Sequence, residues 1–437
     1  MKRRKFLKTA SAAGLGFAAA RSPLRGLPRS ANEKVVVAVM GLNGRGTVLA
    51  RGFAQAANAE VAYTCDVDSQ VLAKATAAVA QVQTRAPKGL GDFRRALDDR
   101  TVDALVIAAP DHWHTPAAIL AMQAGKHVYV EKPCGHNARE GELLVSAQQK
   151  YRRVVQMGTQ QRSAPRSIEI VDAIRGGAIG RPYLARAWYA NTRASIGRGK
   201  AAPVPAFLDY ELWQGPAPRA PYRDNVVHYN WHWFERWGTG EICNNGTHEI
   251  DVGRWALGVD YPTWVTSVGG RYHFEDDWEF PDTQEVCFEF TGGRTIIWQG
   301  QSCNGLTTYG RSRGTAILGT SGSVVLDRDG YVVYDLKDKV VKQSLATQQG
   351  DGLNTRGDDE MTGQHIGNFV DAIRTGAALH QPIDEGAKSV LLGHLGNIAQ
   401  RTRRALRTDP KSGRILGDED AMRLWQREYA PGWAPAV

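Results

Sequence analysis

The chain has 437 residues, of which 42% are hydrophobic, and its mean hydropathy is −0.37. This length suggests two domains, and a chain without a long apolar run is not expected to carry an integral membrane span. The formal net charge of +9 does not indicate nucleic-acid binding. Five of the basic residues fall within the first 20 positions, and the others are scattered without forming a basic helix or stripe.

The first 32 residues have the composition of an export signal followed by a linker. Arg3 and Arg4 open the motif RRKFLK, which resembles a twin-arginine signal, and residues 10–20 are weakly apolar and too short to cross a bilayer. We therefore expect the twin-arginine translocation machinery to export the protein to the periplasm or beyond. A basic tail without a targeting role is the alternative.

Residues 33–157 carry the pattern of a Rossmann domain that binds NAD(P). An apolar strand over 35–40 leads into GLNGRG at 41–46, and a helix is predicted over 47–57. Such a turn uses glycines at its first, third and sixth positions for tight turning, approach to the pyrophosphate and helix packing. Asn43 stands at the third position, where it replaces a glycine. The turn residues predicted to contact the nucleotide are Gly41, Asn43, Gly44, Arg45 and Gly46.

Asp66 follows the second predicted strand, over 60–65, and lies twenty residues beyond Gly46. A carboxylate at this point accepts hydrogen bonds from a ribose hydroxyl and repels a 2′-phosphate. The sequence therefore favours NAD, with NADP as the less favoured cofactor.

Two further strands are predicted to end at the same sheet edge. The strand over 103–109 leads into PDHWHTP at 110–116, predicted as a loop before a helix over 117–124. Pro110, Trp113 and His114 of this loop are expected beside the nicotinamide, unless His114 only caps the helix.

The strand over 126–130 is followed by Glu131, Lys132 and Pro133. Glu131 and Lys132 are therefore also expected at the nucleotide. The fixed φ of proline makes the turn rigid and would hold the lysine ammonium over a reacting carbon.

Together these segments resemble the Gfo/Idh/MocA oxidoreductase family, which includes glucose–fructose oxidoreductase and inositol dehydrogenase. The resemblance covers nearly the whole chain beyond residue 33, and includes the spacing of Pro110 and His114, EKP at 131–133 and GTHEID at 246–251. It implies an α/β Rossmann domain followed by an α+β domain with a large, mostly antiparallel open sheet. In the family this sheet also builds the oligomer interface, so a homodimer or homotetramer is expected.

The residue pattern beyond 158 agrees with that second domain, which we place at 158–355 for substrate binding and oligomerisation. Alternation of apolar and polar residues predicts an antiparallel sheet with one buried face. The predicted strands are 182–188, 264–270, 284–290, 295–298, 315–319 and 331–334. Helices predicted over 364–374 and 390–404 should let the last region, 356–437, pack back on the first domain.

His248 and Asp251 lie three residues apart on a helix predicted to begin after Asn244-Asn245-Gly246. His248 is the expected base for a sugar hydroxyl, and Lys132 is expected to hold the developing alkoxide. Asp251 is expected to be a structural or orienting partner rather than a base, and Asn244 and Asp251 are also predicted to contact the substrate. Dehydrogenases of the family usually have an aspartate at the position of Asn244. The amide suggests a weaker base at His248, unless Asn244 only caps the helix.

The segment YNWHWFERW at 229–237 places five aromatic residues in nine. Aromatic faces stack on pyranose rings, so Tyr229, Trp231 and Trp233 predict a carbohydrate ligand, with a core cluster as the alternative. Gln160 and Arg162, at the sheet edge, are predicted to add polar substrate contacts. The histidines form no convincing metal set, and the five cysteines are expected to be mostly free thiols, with one disulfide left open.

Three functions remain open from sequence. The first is an exported NAD-dependent oxidoreductase acting on a sugar, polyol or sugar derivative, with the nucleotide tightly bound because free NAD is scarce outside the cytoplasm. The second is a glycosidase-like or epimerase-like enzyme that oxidises a sugar transiently and returns the hydride. The third is a sugar-binding protein without catalysis.

Overall fold

The structure is a computed structural model that describes residues 34–347 and 360–437. The predicted export signal and linker, residues 1–32, lie outside the described residues. No helix of the described ranges combines the length and the apolar character that crossing a bilayer requires.

The first sheet consists of six parallel strands in the order β3-β2-β1-β4-β5-β6. Its strands are Val35–Met40 (β1), Ala59–Cys65 (β2), Lys88–Leu90 (β3), Ala104–Ile107 (β4), His127–Val130 (β5) and Val155–Met157 (β6). Its helices are Arg45–Gln55 (α1), Ser69–Ala80 (α2), Arg94–Leu97 (α3), Asp111–Gln123 (α4) and Ala138–Tyr151 (α5). Strands β1 and β4 are almost fully buried, which explains their continuous apolar sequence. The strand order reverses between β1 and β4, which places a binding crevice at their carboxyl ends. The predicted Rossmann sheet is confirmed.

One element of this domain was predicted wrongly. Residues 111–116 were expected to form a loop, but α4 begins at Asp111 and includes Pro116. A proline inside a helix leaves the carbonyl four residues earlier without its usual partner. Here that carbonyl belongs to His112, and it accepts a hydrogen bond from Arg427 Nη2 at 2.8 Å. A contact with the distant carboxyl-terminal region therefore stabilises a helix that the local sequence argues against.

The second sheet has nine strands in the order β14-β13-β12-β11-β7-β10-β9-β8-β15. They are Pro182–Ala190 (β7), Trp264–Gly270 (β8), Thr283–Phe290 (β9), Arg294–Gln301 (β10), Arg313–Gly319 (β11), Ser323–Leu326 (β12), Gly330–Tyr334 (β13), Val340–Leu345 (β14) and Leu406–Arg407 (β15). Strands β7 and β10 pair in parallel, and the other neighbouring pairs are antiparallel. The mostly antiparallel sheet is confirmed, although β12, β14 and β15 were missed because they are short or exposed.

Some of the remaining helices pack on this sheet, and others pack on the first domain. They are Pro165–Arg175 (α6), Tyr210–Gln214 (α7), Gly240–Asn244 (α8), Gly246–Leu257 (α9), Glu360–Thr375 (α10), Ile383–Thr402 (α11) and Glu419–Arg423 (α12). Helix α9 packs on β7, β10 and β11, and α11 packs between α5 and α9. In α10, Phe369 packs edge to face on Phe53 of α1, so this helix lies on the first domain. Helix α9, whose first turn carries His248, is therefore packed against both the second sheet and α11.

The segment between β7 and α8, residues 191–239, crosses the crevice of the first sheet. We call it the strap. Its aromatic and aliphatic residues form a cluster of their own, which includes Leu208, Trp213 and Trp237. The amide of Ser69 donates to the carbonyl of Phe207 at 2.9 Å, which ties the strap to the start of α2. The strap therefore covers the carboxyl edge of the parallel sheet.

Candidate active site

A cavity of about 370 Å³ lies at the carboxyl edge of the first sheet, beneath the strap. The turns that follow β1, β2, β4 and β5 form its floor, and the start of α9 closes one end. Residues of the strap form the opposite wall. The cavity therefore has a glycine-turn end in the first domain and a His248 end between the domains.

The glycine turn is shaped by close backbone approach. Gly41 has a φ of +79°, and a Cβ built on it would lie 2.4 Å from the amide nitrogen of Ala109. A Cβ on Gly46 would lie 1.6 Å from the carbonyl oxygen of Gly41, so only glycine lets α1 start so close to the turn. Gly41, Asn43, Gly44 and Arg45 line the cavity, whereas Gly46 lies behind them. Helix α1 begins beside the cavity without a side-chain cap, so its first amides remain available to an anion there.

Asp66 lines the cavity beside this turn. Its Oδ2 accepts the Leu42 amide at 2.6 Å, and its Oδ1 accepts the Asp68 amide at 2.9 Å. Burial raises the pKa of the Asp66 carboxyl. Each oxygen still has a second lone pair for a hydroxyl donor. Asp68 holds His228 of the strap at 2.9 Å, so the strap is anchored beside Asp66.

Pro110, Trp113 and His114, which were predicted to lie beside the nicotinamide, all line the cavity. His114 Nδ1 lies 2.6 Å from the carbonyl oxygen of Pro133, and Nε2 lies 2.7 Å from that of Ala109. The alternative role of His114 as a helix cap is wrong, because the residue lies within α4 and its ring joins the ends of β4 and β5. Trp113 Nε1 donates to the carbonyl of Trp213 at 3.0 Å and so holds the strap.

Glu131 is a junction between three parts of the chain. Its Oε1 accepts Arg45 Nε at 2.9 Å and Gln160 Nε2 at 3.0 Å. Arg45 Nη2 also donates to Thr362 at 3.1 Å, which brings α10 into the same network. Gln160, which was predicted to contact substrate, lines the cavity, with its amide donating to Glu131.

Lys132 meets Asn244 at the far end of the cavity. Lys132 Nζ donates to the Asn244 backbone carbonyl at 2.7 Å and to its side-chain Oδ1 at 2.9 Å. Burial lowers the pKa of the Lys132 ammonium. Asn244 is the last residue of α8, and α9 has Asn245 at its cap position. The alternative in which Asn244 caps the helix of His248 is therefore wrong, because its side chain binds Lys132 instead.

His248 is the third residue of α9 and lines the cavity close to Lys132. Burial, and then the charges of Lys132 and Arg313, hold the pKa of His248 well below its usual value. The neutral imidazole is the form that results near neutral pH. A neutral imidazole is ready to accept a proton, although a low pKa makes it a weak base.

Two important residues at this end were missed from sequence. Glu241 Oε2 accepts Arg193 Nε at 2.8 Å, and its Oε1 accepts Asn245 Nδ2 at 2.5 Å. Arg193 Nη1 donates to the hydroxyl of Tyr229 at 2.7 Å. Burial raises the pKa of Glu241, but the Arg193 guanidinium outweighs burial and leaves the pKa below its usual value. The one sequence signal that could have pointed to Glu241 is its position three residues before Asn244. Arg193 has no such signal, because only the fold brings it to Glu241.

The structure does not bring every predicted substrate residue to the cavity. Arg162 and Asp251 form a buried bidentate ion pair, with Nε to Oδ2 at 2.8 Å and Nη2 to Oδ1 at 2.9 Å. Trp233 stacks on Trp278 with ring centres 3.8 Å apart. None of these three predicted residues lines the cavity, so their assignment to substrate is corrected to a packing role. Tyr229 and Trp231 do line it.

The described residues contain neither a disulfide nor a cluster suited to a metal ion. All five cysteines are free thiols, which answers the disulfide left open above. Within 34–347 and 360–437, no group of three His, Cys, Asp or Glu side chains converges as a metal site.

Comparison with known families agrees with this architecture. A model described as "Oxidoreductase family, NAD-binding Rossmann fold" matches residues 35–159, and one described as "Oxidoreductase family, C-terminal alpha/beta domain" matches residues 188–327. Together the two models match more than half of the chain.

Among curated proteins, a glycosyl hydrolase family 109 protein of Saccharopolyspora erythraea is 33% identical over 171 residues, which are 35% of this chain and 37% of that protein. Inositol 2-dehydrogenase of Salmonella typhimurium is 27% identical over 205 residues, 47% of this chain and 48% of that protein. The match thus spans less than half the length of either relative.

Solved structures share the fold. A levoglucosan dehydrogenase in complex with NADH and levoglucosan superposes with a TM-score of 0.66 at 19% identity, covering 86% of this chain and 99% of the other. Aldose-aldose oxidoreductase from Caulobacter crescentus gives 0.65 at 19% identity, covering 86% and 100%.

Proposed function

Because the chain belongs to the Gfo/Idh/MocA family of oxidoreductases, we propose that it is an NAD-dependent enzyme that oxidises a CH–OH group of a sugar, polyol or sugar derivative. One observation carries the proposal. Lys132 from the first domain and His248 from the second line the same end of a cavity whose other end is a glycine turn. That arrangement supplies a cation and a base at one reacting carbon.

The residues present fit a dinucleotide. The tight Gly41 turn requires glycine, because a Cβ on Gly41 would collide with the Ala109 backbone, and the uncapped start of α1 suits a pyrophosphate. Asp66 would hold a ribose hydroxyl, which favours NAD over NADP. Pro110, Trp113 and His114 would border the nicotinamide, which when bound supplies the hydride acceptor.

Proton transfer is the task of the protein side chains. A neutral His248 accepts the proton of the substrate hydroxyl as the carbon is oxidised. Lys132 Nζ donates two hydrogen bonds to Asn244, so its third N–H remains for the substrate oxygen that develops negative charge. The glycosyl contacts come from Tyr229, Trp231 and Gln160.

The test starts with nucleotide content. Protein purified without added nucleotide and then denatured should release NAD(H) in near-stoichiometric amount, measured by mass spectrometry, because the strap is bonded to both Asp68 and Trp113 across the crevice. Release of NADP(H) alone would contradict the role of Asp66. Release of no nucleotide would contradict tight binding.

A second candidate is transient oxidation, in which the hydride returns to the same carbon after elimination or inversion. It is favoured by Asn244, whose amide meets Lys132 where family dehydrogenases have a carboxylate, and by the match to a glycosyl hydrolase family 109 protein. Net NADH formation with a sugar supports the first function. Glycoside cleavage or epimer formation without net NADH supports the second.

We further propose that the twin-arginine motif at Arg3 and Arg4 exports the folded protein with its nucleotide. Changing both to lysine should retain the full-length protein in the cytoplasm, as measured by cell fractionation.

We also propose a homo-oligomer formed through the second sheet, where Trp264 and Val268 of β8 are exposed. Light scattering coupled to size exclusion would give the number of copies.

A further inference from the structure

Two asparagines at the junction of α8 and α9 contact both candidate catalytic residues. Asn244 ends α8, and its backbone carbonyl and side-chain Oδ1 accept Lys132 Nζ at 2.7 and 2.9 Å. Asn245 stands at the cap position of α9, and its carbonyl accepts the amide of His248 at 3.1 Å. This junction therefore sets the places of the Lys132 ammonium and of the His248 backbone.

The direction of the two side-chain amides matters, because an amide has an acceptor oxygen at one end and a donor nitrogen at the other. Asn245 Nδ2 donates to Glu241 Oε1 at 2.5 Å, and Asn244 Nδ2 donates to the same oxygen at the longer distance of 3.5 Å. On the other side each Oδ1 accepts from a cation, which for Asn245 is Arg313 Nη1 at 3.2 Å. Reversing either amide would set its oxygen against the Glu241 carboxylate and its N–H groups against a cation. Glu241 therefore fixes the direction of both amides.

The Glu241 side chain is itself anchored, and it lies behind the cavity wall. It is buried, and its Oε2 accepts Arg193 Nε at 2.8 Å and Ser302 Oγ at 3.0 Å. Burial raises the pKa of the Glu241 carboxyl, but the Arg193 guanidinium outweighs burial, so the group is charged at neutral pH. The wall includes both asparagines but not Glu241. Glu241 can thus act on the reacting end through the asparagines, without touching a bound substrate.

The chain keeps a carboxylate in the hydrogen-bond network of Lys132, although Asn244 is uncharged. Glu241 stands three residues before Asn244, so the two side chains lie on one face of α8. The carboxylate on one side and the ammonium on the other polarise the amide between them. The negative charge is therefore one helical turn away from the position where family dehydrogenases have it, and the Asn244 amide connects it to Lys132.

We propose that Glu241 is a positioning residue for the reaction. Its carboxylate orients the two asparagine amides, which in turn place the Lys132 ammonium and the start of the helix that carries His248. The inference rests on the proposed oxidoreductase function and deepens it. Because the reaction depends on placement to within about 1 Å, loss of the Glu241 carboxylate slows hydride transfer while nucleotide binding stays intact.

The test uses the full-length holoenzyme, loaded with NAD and mixed with glucose, galactose or myo-inositol. The rate at which the bound nucleotide is reduced, followed by NADH absorbance, reports hydride transfer whether oxidation is net or transient. Glu241→Gln should lower this rate about ten- to hundredfold, because a glutamine cannot accept from both asparagine amides as the carboxylate does. The affinity for NAD should change less than about threefold, since Glu241 does not line the cavity.

A double-mutant cycle distinguishes positioning from a general loss of stability. Asn244→Ala removes the amide that connects Glu241 to Lys132, so Glu241→Gln should cost less in that background. The combined loss of rate should fall short of the product of the two single losses by about threefold or more. Glu385→Gln is the matched control, because it also takes a carboxylate from a buried arginine, Arg254, but lies outside the cavity wall. It should reduce the nucleotide at the wild-type rate.

Glu241→Asp keeps the experiment decisive if Glu241→Gln does not fold. It retains a negative charge for Arg193 but shortens the reach to the asparagines, so nucleotide reduction should slow about three- to tenfold. Thermal denaturation and the content of bound NAD(H) show whether each variant is folded. The same cycle with Asn244→Ala then applies to Glu241→Asp.

The outcomes separate the inference from the proposed function. A Glu241 variant that behaves like Glu385→Gln would overturn the inference and leave the oxidoreductase function standing. Losses that multiply fully in the cycle would also overturn it, as would a fall in NAD affinity with an unchanged rate of reduction. If none of the three probes reduced the nucleotide of the wild type, the proposed function itself would fail.

Discussion

The two ends of the cavity are built in different ways. At the nucleotide end, Gly41 to Gly46 form one continuous turn, and Asp66 reaches it by accepting the amide of Leu42, 24 residues away. At the reacting end, Lys132 meets Asn244 across 112 residues of chain, and Arg193 meets Glu241 across 48. The first end depends on backbone shape, and the second on side chains that only the assembled fold brings together. Mutations should therefore affect binding at one end and chemistry at the other.

The largest expected effect is at the reacting end. Lys132→Ala and His248→Ala should each lower kcat by a factor of about 10² to 10⁴, because one removes the cation for the alkoxide and the other the base. Nucleotide content should stay near the wild-type value, since neither residue belongs to the glycine turn. Steady-state kinetics and mass spectrometry of released nucleotide measure the two quantities.

Lys150→Ala and His273→Ala are matched controls, because both side chains are exposed outside the cavity wall. Both should retain wild-type turnover. If the two catalytic variants behaved like these controls, the assignment of the reacting end would be wrong.

The contrast between the ends also explains what could be predicted from sequence. The first sheet and the glycine turn follow from local patterns, because apolar runs and glycine spacing encode a parallel strand and a tight turn. Helix α4 does not follow from a local pattern, because it contains Pro116. The His112 carbonyl that this proline leaves without a helical partner accepts a hydrogen bond from Arg427, which is 315 residues away. Arg162 and Asp251 appeared as separate polar residues near the site, and nothing in the local sequence reveals that they satisfy each other.

The second-largest expected effect tests the assignment of Arg162 and Asp251 to packing instead of substrate binding. Arg162→Met should lower the free energy of unfolding by about 3–5 kcal/mol, because it leaves the Asp251 carboxylate buried without its ion-pair partner. Among molecules that remain folded, KM should change by less than about threefold, since Arg162 does not line the cavity. Urea unfolding and steady-state kinetics give the two results. A large rise in KM with unchanged stability would restore Arg162 as a substrate contact.

This effect has a defined pH dependence. Burial raises the pKa of Asp251, but Arg162 outweighs burial and leaves the pKa below its usual value. A lowered folded-state pKa contributes stability above the unfolded pKa of about 3.9, and that contribution is lost as the pH falls further. The stability difference between wild type and Arg162→Met should therefore be full at neutral pH and shrink below pH of about 4. Adding Asp251→Asn should recover part of the loss, because no buried charge then remains.

A smaller effect is expected at the nucleotide end. Asp66→Asn removes the charge from a group that accepts the amides of Leu42 and Asp68 and would accept a ribose hydroxyl. Hydrogen bonds to charged groups contribute about 1.5–3 kcal/mol, so NAD affinity should fall about 10- to 100-fold. Discrimination against NADP should fall as well, because no carboxylate repels the 2′-phosphate. Asp172→Asn, on the exposed side of α6, is the control. Unchanged discrimination would remove Asp66 from the ribose site.

The smallest effect, and the one that links the two ends to mechanism, is expected from Asn244→Asp. The new carboxylate would lie 2.9 Å from Lys132 Nζ if it kept the position of Asn244 Oδ1. A negative charge there favours the charged forms of both Lys132 and His248, so both pKa values should rise. The acidic limb of the pH–rate profile, where His248 becomes protonated, should therefore move to higher pH, and net dehydrogenation should change by about tenfold or less.

Glu241 opposes the change, because its Oε1 lies 3.5 Å from Asn244 Nδ2 and would face a like charge. The double variant Asn244→Asp with Glu241→Gln removes that repulsion and should show the larger pH shift. If the single and double variants both kept the wild-type pH profile, the contact between Asn244 and Lys132 would have no part in proton transfer, and the argument from Asn244 for transient oxidation would be lost.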